Sequence, residues 1–275
     1  MRAGTDQPRW SRDDDGPADA PPLGDEQLRL LADVGHELKS PLSIVLALCG
    51  RLQESGRLEG QDADDVARIR ANAYTMLRRV QDLLLMGRLD SAGLPLEAAV
   101  VDVAAIVRGC LEGFASVADQ RRIELRAEVP DELCAVADDE KLLSAVSNLV
   151  ANAIRHAPLG GRVRCSLRTE ADQVVLEVAD DGPGVPAEQR EEIFARYRRE
   201  PGGAGTGLGL AIVREVARAH GGTATVGDAP EGGALFTLTL PRRPQRATVV
   251  RPVRSLGIAE RQRALVEELR AELAG

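Results

Sequence analysis

Apolar residues recur at three- and four-residue steps over residues 25–55 and again over residues 62–85. This period is typical of helices that bury one stripe of side chains. The segment 56–61 between them contains two glycines and interrupts the pattern. The pattern predicts a helical hairpin, with stripes on Leu28, Leu31, Leu38, Leu42, Val45, Leu46 and Leu52 in the first helix and on Val66, Ile69, Ala73, Met76, Leu77, Val80 and Leu84 in the second.

Two helices alone enclose too little interior to bury such wide apolar faces. A second copy of the hairpin would cover them and produce a four-helix bundle across a dimer axis. We therefore expect residues 25–92 to form a homodimer. The alternative is that the hairpin packs on the rest of its own chain.

The pattern changes near residue 93, where short strand-like and helical segments begin to alternate. Such an order predicts an α+β layer sandwich over residues 93–242. The predicted strands are 95–98, 122–128, 133–137, 162–169, 173–180, 223–227 and 234–240, and the predicted helices are 102–119, 139–156 and 208–219.

Both ends of the chain differ from these two regions. Residues 1–24 are polar, rich in Asp, Pro and Gly, and without a hydrophobic period, which predicts a disordered arm. Residues 243–275 begin as a basic, Pro-containing linker and end in a predicted helix at about 258–273. That helix could dock a partner, extend the dimer or remain a solvated appendage.

Composition excludes several classes of protein. A net charge of −8 and a pI near 5.1 argue against bulk binding of nucleic acid or anionic membranes. The four cysteines form no C-x-x-C pair, so neither a zinc site nor a disulfide framework is predicted. The longest apolar stretch, 43–49, is too short to cross a bilayer. We expect a cytoplasmic protein with no transmembrane segment.

The segment SNLVANAIRHAP places Asn148 and Asn152 four residues apart in a predicted helix. Residues at this spacing share one helical face, which Arg155 and His156 extend. Asparagine oxygens are hard neutral ligands that suit Mg²⁺ alongside water and phosphates. Taken alone, such a pair is more often a surface feature than a metal site.

The predicted strand VVLEVAD ends at Asp180 and continues into DGPGVP, where Gly182 and Gly184 permit tight backbone turns. A carboxylate accepts hydrogen bonds, so Asp180 could accept one from an adenine amino group. For this motif by itself, a plain turn is an equal alternative.

A Gly- and Pro-rich loop then leads into the helix predicted near Leu208. Backbone N–H groups at Gly205, Gly207 and Gly209, together with the helix N-terminus, can form an anion site for phosphates. The spacing G-x-G-x-G differs from the P-loop and from the Rossmann fingerprint. A lid over a bound nucleotide is one interpretation, and a flexible loop beside a capped helix is the other.

In this order and at these separations, the three motifs resemble the N-box and two glycine boxes of the histidine-kinase catalytic domain. That domain belongs to the ATPase superfamily shared with gyrase, heat-shock chaperones and mismatch-repair proteins, the GHKL or Bergerat type. The segment IFARYRR is similar to the family's phenylalanine box, with Tyr197 where phenylalanine is usual, and the following lid is short. The matching residues of that box are Phe194, Arg196 and Arg199.

The resemblance implies that ATP and Mg²⁺ bind to this domain. It implies that Asn152 binds the metal, that Asn148 supports it and that Asp180 binds adenine. The candidate cofactor-binding residues are Asn148, Asn152, Arg155, His156, Asp180, Gly182, Gly184, Phe194, Arg196, Arg199, Gly205, Thr206, Gly207, Leu208 and Gly209.

One of only three histidines, His36, lies in the first predicted helix within VGHELKSPLSIV. Glu37 can fix one imidazole tautomer and take up developing positive charge, and Pro41 loosens the helix by donating no hydrogen bond. A lone helical histidine is usually a surface residue. The string HELKSPL, however, closely resembles the H-box of the dimerising histidine-phosphotransfer domain.

The H-box resemblance implies His36 as phospho-acceptor and Glu37 as its acid/base partner. Ser40 stands where the family often has Thr or Asn, which orient a water that hydrolyses the phosphorylated partner. Serine has a shorter reach and different rotamer preferences. The resemblance therefore implies kinase activity and leaves phosphatase activity open.

Together these observations predict an α+β protein in which a helical hairpin, forming a dimeric four-helix bundle, precedes an α/β-sandwich ATP-binding domain of the GHKL (Bergerat) type. The chain resembles a two-component sensor histidine kinase, which implies transfer of phosphate from His36 to an aspartate of a response regulator. Signal input would come from the tail or a separate sensory partner. The rival predictions are an anti-sigma-type kinase or switch using residues 94–241 alone, and a dimeric scaffold without enzymatic activity.

Overall fold

The computed structural model describes residues 96–196, 198 and 207–242, together with parts of segments 38–80 and 265–273. Within these residues, no helix combines the length and apolar character needed to cross a membrane. The described residues form a helical hairpin, an α/β sandwich and part of a C-terminal helix.

The hairpin follows the predicted pattern. Residues 41–53 are helical, residues 55–56 turn, and every described residue of 60–80 is helical. The Arg70 guanidinium donates a hydrogen bond to Oε1 of Gln53 and so links the two helices. Cys49 and Ala73 are the buried residues of the described hairpin, so the interior of a single hairpin is small.

Several large apolar side chains of the described hairpin are exposed. Ile44, Leu48 and Leu52 recur at four-residue steps, which places them on one helical face. Each is at least 44 % exposed, and Ile69 and Met76 on the second helix are 52 % and 60 % exposed. An apolar surface of this kind marks an interaction site in most soluble proteins.

The sandwich contains a five-stranded mixed sheet. Its strands are β2 (Glu124–Glu128), β4 (Arg162–Glu170), β5 (Gln173–Asp180), β6 (Thr223–Asp228) and β7 (Ala234–Pro241). Their spatial order is β2-β4-β5-β7-β6, with β2 parallel to β4 and the other pairs antiparallel. Residues of β7 alternate between buried and half-buried, as expected when only one face of a sheet is covered.

Three amphipathic helices cover that face, and α2 packs between the other two. Their apolar stripes enclose a core that includes Phe114, Leu149 and Ile212, each almost completely buried. The helices are α1 (Val103–Gln120), α2 (Asp139–His156) and α3 (Gly209–Ala219). The predicted helices agree with these bounds to within one residue.

The prediction of a strand at 95–98 is wrong. Residues 96–98 are irregular, and β1 is Ala99–Asp102, paired antiparallel with β3 (Cys134–Ala137) in a separate two-stranded sheet. Val100 and Val101 are buried there, and β-branched residues favour strands. Asp102 ends the strand and caps α1, because its Oδ1 accepts a hydrogen bond from the Ala104 amide at 3.0 Å.

The C-terminal helix packs against the sandwich, so it is not a solvated appendage. Leu265, Val266 and Leu269 belong to the same core cluster as the sheet and its helices, and Leu269 is fully buried. The Arg270 guanidinium also donates a hydrogen bond to the Ser116 hydroxyl on α1. The tail therefore contributes apolar surface to the domain that precedes it.

Candidate nucleotide site

The most unusual polar group of the sandwich is Asp180, at the end of the central strand β5. Its side chain is only 2 % exposed. Oδ1 accepts hydrogen bonds from the Gly182 amide at 2.9 Å and the Ala234 amide at 3.3 Å. Oδ2 is buried and has no hydrogen-bond partner among the described residues. A carboxylate oxygen in that position is an acceptor prepared for a donor that the protein itself does not supply.

Burial raises the pKa of the Asp180 carboxyl to about 6, although the two amide hydrogen bonds act in the opposite direction. The charge of the adjacent Asp181 adds a smaller upward contribution to this pKa. At neutral pH the group is therefore mainly a carboxylate.

Glycines allow the backbone to approach Asp180 closely. A Cβ at Gly182 would lie 2.5 Å from the His156 carbonyl oxygen, and one at Gly233 would lie 2.2 Å from the Asp180 carbonyl oxygen. Gly184 has a φ of 72°, in the left-handed region that favours glycine. Sequence reasoning found Gly182 and Gly184 but did not include Gly233, whose signal was only a Gly-Gly pair before the last strand.

Asn148 and Asn152 lie on α2 as predicted, but they are only 8 % and 9 % exposed and so are not surface residues. The Asn148 amide donates a hydrogen bond to the Ser144 carbonyl at 2.8 Å. Its Oδ1 would lie 2.8 Å from a Cβ at Gly209, so glycine there lets α3 approach α2. The structure therefore brings the first asparagine to the beginning of the glycine-rich helix.

Asn152 is the residue of this face that best fits a metal ion. Its side chain is 9 % exposed, and its amide oxygen is a hard neutral ligand that could bind Mg²⁺. The described residues contain no cluster of three His, Cys, Asp or Glu side chains that could hold a metal. Magnesium bound here would need the phosphates and water as its other ligands, which is its usual habit.

The N-terminus of α3 lies at Gly209, with Leu208 as the capping residue. No side chain among the described residues caps it, so its first amide groups remain suited to an anion. Gly207 has a φ of 67°, and Leu208 is buried and anchors the helix.

Phe194 is a core residue. It is 3 % exposed, and its ring meets Phe236 of β7 edge-to-face at 6.3 Å. The Arg214 guanidinium of α3 lies 5.9 Å from the centre of the same ring. Phe194 thus fixes the start of the segment that leads to Arg196, which is half-buried, and does not itself project from the domain.

Arg155 and His156 form the last turn of α2. Arg121 donates hydrogen bonds to the Ile154 and Arg155 carbonyls at 2.7 and 3.0 Å. Burial lowers the pKa of His156 to about 4, with help from nearby Arg155 and Arg121, so the ring is neutral. The His156 backbone abuts Gly182, which brings the end of α2 to the turn that follows Asp180.

Six predicted site residues lie outside the described residues: His36, Glu37, Ser40, Arg199, Gly205 and Thr206. The described residues bring the asparagine motif and the first glycine motif together around Asp180. They include only the end of the second glycine motif. They do not place the phospho-acceptor relative to these motifs.

The described residues thus combine an α/β sandwich, a buried strand-end carboxylate and a helix N-terminus beside an asparagine-bearing helix. Residues 137–244 match the family model "Histidine kinase-, DNA gyrase B-, and HSP90-like ATPase". Residues 26–92 match the "His Kinase A (phospho-acceptor) domain". The chain belongs to the family of two-component sensor histidine kinases.

Relatives in curated collections support the same family. The chain is 37% identical over 217 residues to the sensor histidine kinase TmoS of Ectopseudomonas mendocina, covering 76% of this chain and 22% of TmoS. It is 34% identical over 220 residues to the sensor-like histidine kinase SenX3 of Mycobacterium tuberculosis, covering 77% of this chain and 53% of SenX3.

Among solved structures, full-length ShkA in complex with AMPPNP is similar at a TM-score of 0.63 and 31% identity, covering 82% of this chain and 48% of that one. The chain thus spans about a fifth of the length of TmoS and about half the length of SenX3 and ShkA.

Proposed function

We propose that this protein is an ATP-dependent histidine kinase that phosphorylates its own His36 and transfers the phosphoryl group to an aspartate of a response regulator. The buried, half-satisfied carboxylate of Asp180 is the observation that carries the nucleotide part of this proposal. The match of residues 26–92 to a phospho-acceptor domain supports the histidine part.

Asp180 would select adenine. Its Oδ1 is held by two backbone amides, which directs Oδ2 toward a ligand donor such as the adenine amino group. The free-energy gain is large for a buried acceptor, because leaving it unpaired costs about 1–3 kcal/mol. A purine with an acceptor at the same position would leave two acceptors facing each other.

The phosphates would lie between α2 and the N-terminus of α3. The helix dipole and the amide groups at Gly209, which no described side chain caps, would stabilise negative charge there, and Arg196 would add positive charge. Mg²⁺ held by Asn152 and the phosphates would supply further positive charge to the triphosphate. The protein itself would orient the reacting groups and stabilise the charge of the transition state.

In the transfer step, a neutral imidazole nitrogen of His36 attacks the γ-phosphorus. A P–N bond forms, the bond from the γ-phosphorus to the β–γ bridging oxygen breaks, and ADP leaves. Glu37 holds the other ring nitrogen and accepts its proton as the P–N bond forms. In the second step, a carboxylate of the response regulator attacks the same phosphorus, an acyl P–O bond forms and the P–N bond breaks, and Glu37 returns the proton so that His36 leaves as a neutral imidazole.

A homodimer would support this chemistry. The exposed apolar stripe containing Ile44, Leu48 and Leu52 resembles the uncovered half of a four-helix bundle. A second hairpin would cover that stripe and hold the segment containing His36 on a rigid stalk.

The direct test is incubation of the purified full chain with γ-labelled ATP and Mg²⁺. We expect an acid-labile, base-stable label in the wild type and a loss of more than about a thousandfold in His36→Gln, since the nucleophile is removed. The variant should bind ADP as tightly as the wild type, because residue 36 takes no part in nucleotide binding.

Label on the His36→Gln protein would show that another residue accepts the phosphoryl group. An unlabelled wild type that still binds ADP would reduce the protein to a nucleotide-binding module. Addition of a response regulator should then remove label from the wild type and place it on an aspartate, recognised by its lability in base.

A further inference from the structure

A second polar cluster lies at the opposite end of α3 from the glycine-rich loop. His220 caps the C-terminus of α3 and is 8 % exposed. Its Nε2 accepts a hydrogen bond from the Asp138 amide at 3.0 Å, and its Nδ1 lies 2.8 Å from the Val216 carbonyl oxygen. Since a carbonyl only accepts, Nδ1 carries the proton and the ring is a neutral imidazole.

Asp138 connects this ring to two further elements. Its Oδ1 accepts a hydrogen bond from the Lys141 amide at 3.0 Å and caps α2. Its Oδ2 accepts hydrogen bonds from the Lys141 ammonium at 2.5 Å and the Glu97 amide at 2.8 Å. Glu97 lies in the irregular segment before β1, next to the junction with the hairpin.

This cluster forms a second contact between the ends of α2 and α3. The two helices meet at Gly209 and Asn148, beside the candidate nucleotide site, and again at His220 and Asp138. Because α3 has 11 residues, the second contact lies about 16 Å along the helix from the first. A rigid helix fixed at both ends cannot tilt, whereas one fixed at a single end can.

We propose that His220 and Asp138 are positioning residues for nucleotide binding, which hold the ends of α2 and α3 together and tie both helices to the interdomain segment at Glu97. The inference rests on the proposed function only in placing the nucleotide between α2 and α3. Neither residue touches that site, so each acts through the geometry of the helices.

Protonation of His220 breaks the contact, because Nε2 then becomes a donor facing the Asp138 amide. The charged side chains that act on the ring are Asp138, which favours protonation, and Lys141, which opposes it. Burial is the largest influence and lowers the pKa of His220 below its usual value of 6.5, despite the hydrogen bond to Val216. The contact is intact above pH 6.5 and is lost as the pH falls through the lower, folded-state value.

Two substitutions at His220 distinguish the role of its hydrogen-bond acceptor from the role of its side-chain volume. His220→Leu removes the acceptor and leaves the buried Asp138 amide unpaired, so we expect ADP to bind about three- to tenfold more weakly at pH 8. His220→Gln keeps an acceptor oxygen near Nε2, and its affinity at pH 8 should stay within about twofold of the wild type. Calorimetric titration of the full chain with ADP gives both values.

The pH profile identifies the imidazole. As the pH falls from 8, the affinity of the wild type should fall more than that of His220→Gln, because the imidazole titrates and the glutamine amide does not. Titration of the ADP phosphates and of Asp180 is common to both proteins and cancels in the ratio. Hydrogen exchange of the Glu97 amide should accelerate in His220→Leu at pH 8 and remain slow in His220→Gln.

Thr223→Ala is the matched control. Thr223 lies three residues after His220, and the substitution removes an exposed hydrogen bond to Thr239. It should leave ADP affinity unchanged. The inference is overturned if His220→Leu binds ADP like the wild type, or if His220→Gln reproduces the pH profile of the wild type. A His220→Leu protein that does not fold leaves the second criterion to decide. A wild type that binds ADP without forming phosphohistidine contradicts the proposed function and leaves this inference intact.

Discussion

The hairpin and the sandwich solve the burial of apolar residues in opposite ways. In the sandwich, one sheet face, three helices and the C-terminal helix enclose a continuous core. In the described part of the hairpin, the buried residues are small, Cys49 and Ala73, while larger residues such as Ile44 and Met76 remain more than half exposed.

The difference follows from geometry. A sheet with helices on one face is a complete two-layer unit, whereas two helices alone have no second layer. The ATP-binding sandwich can therefore fold within one copy, whereas the described hairpin leaves apolar side chains exposed that the proposed second copy would cover.

The largest expected effect is the loss of the proposed hairpin dimer, with the sandwich unaffected. Leu48 lies in the centre of the exposed stripe, so Leu48→Glu would bury a charge from each copy in the proposed dimer. An unpaired buried charge costs about 3–5 kcal/mol, which raises the dimer dissociation constant by more than about a hundredfold. Analytical ultracentrifugation over a range of concentrations measures this change.

Leu159→Glu is the control for that variant, because Leu159 is 69 % exposed on the sandwich. It should leave the dimer intact, and both variants should bind ADP normally. A Leu48→Glu protein that stays dimeric would show that the stripe faces something other than a second copy.

A smaller effect is expected where the tail completes the sandwich. Leu269→Ala removes a fully buried side chain from the shared core, and such truncations cost about 2–5 kcal/mol of unfolding free energy. Urea denaturation followed by circular dichroism measures the loss. ADP affinity should not change, because the described polar contact of the tail is with Ser116 on α1, away from the α2–α3 site.

Leu159→Ala provides the comparison, with an expected change within about 0.5 kcal/mol for a surface residue. Equal stability of the two variants would mean that the tail is only a loosely attached element in solution.

Much of the sandwich follows from local pattern. The helices were predictable because apolar residues recur along α2 and α3 and because Asp138 and the Gly-rich loop mark where they begin. The strand predicted at 95–98 is misplaced, because pairing with β3 selects residues 99–102, with Val100 and Val101 buried. Pairing between segments distant in sequence is not visible in a local pattern.

The sequence predicts which residues form the site, but it does not predict their hydrogen bonds. Asp180 and its glycines form a motif, but the amide of Ala234 that fixes Oδ1 comes from a strand 54 residues later. Docking of the tail was left open for the same reason, since a stripe on Leu265 and Leu269 shows a helix to be amphipathic without showing what covers it.

The smallest effect concerns pH and tests the role of Asp180. Burial raises the pKa of its carboxyl to about 6, above the value of 3.8 expected in an unfolded chain. This group therefore stabilises the fold most below the unfolded value, and its contribution is lost as the pH rises through 6. Adenine binding needs the carboxylate, so ADP affinity should change in the opposite sense, falling up to about tenfold per pH unit below 6.

Asp180→Asn supplies the non-titrating comparison. Because the two amides hold an acceptor at the Oδ1 position, the amide NH₂ group takes the place of Oδ2 and becomes a donor. The variant should lose this part of the pH dependence and shift its preference from ADP toward inosine diphosphate, which presents a carbonyl oxygen there. Calorimetry with both nucleotides between about pH 5 and 8 measures the two effects. A wild type with the same pH profile as Asp180→Asn would mean that a group other than the Asp180 carboxylate binds the base.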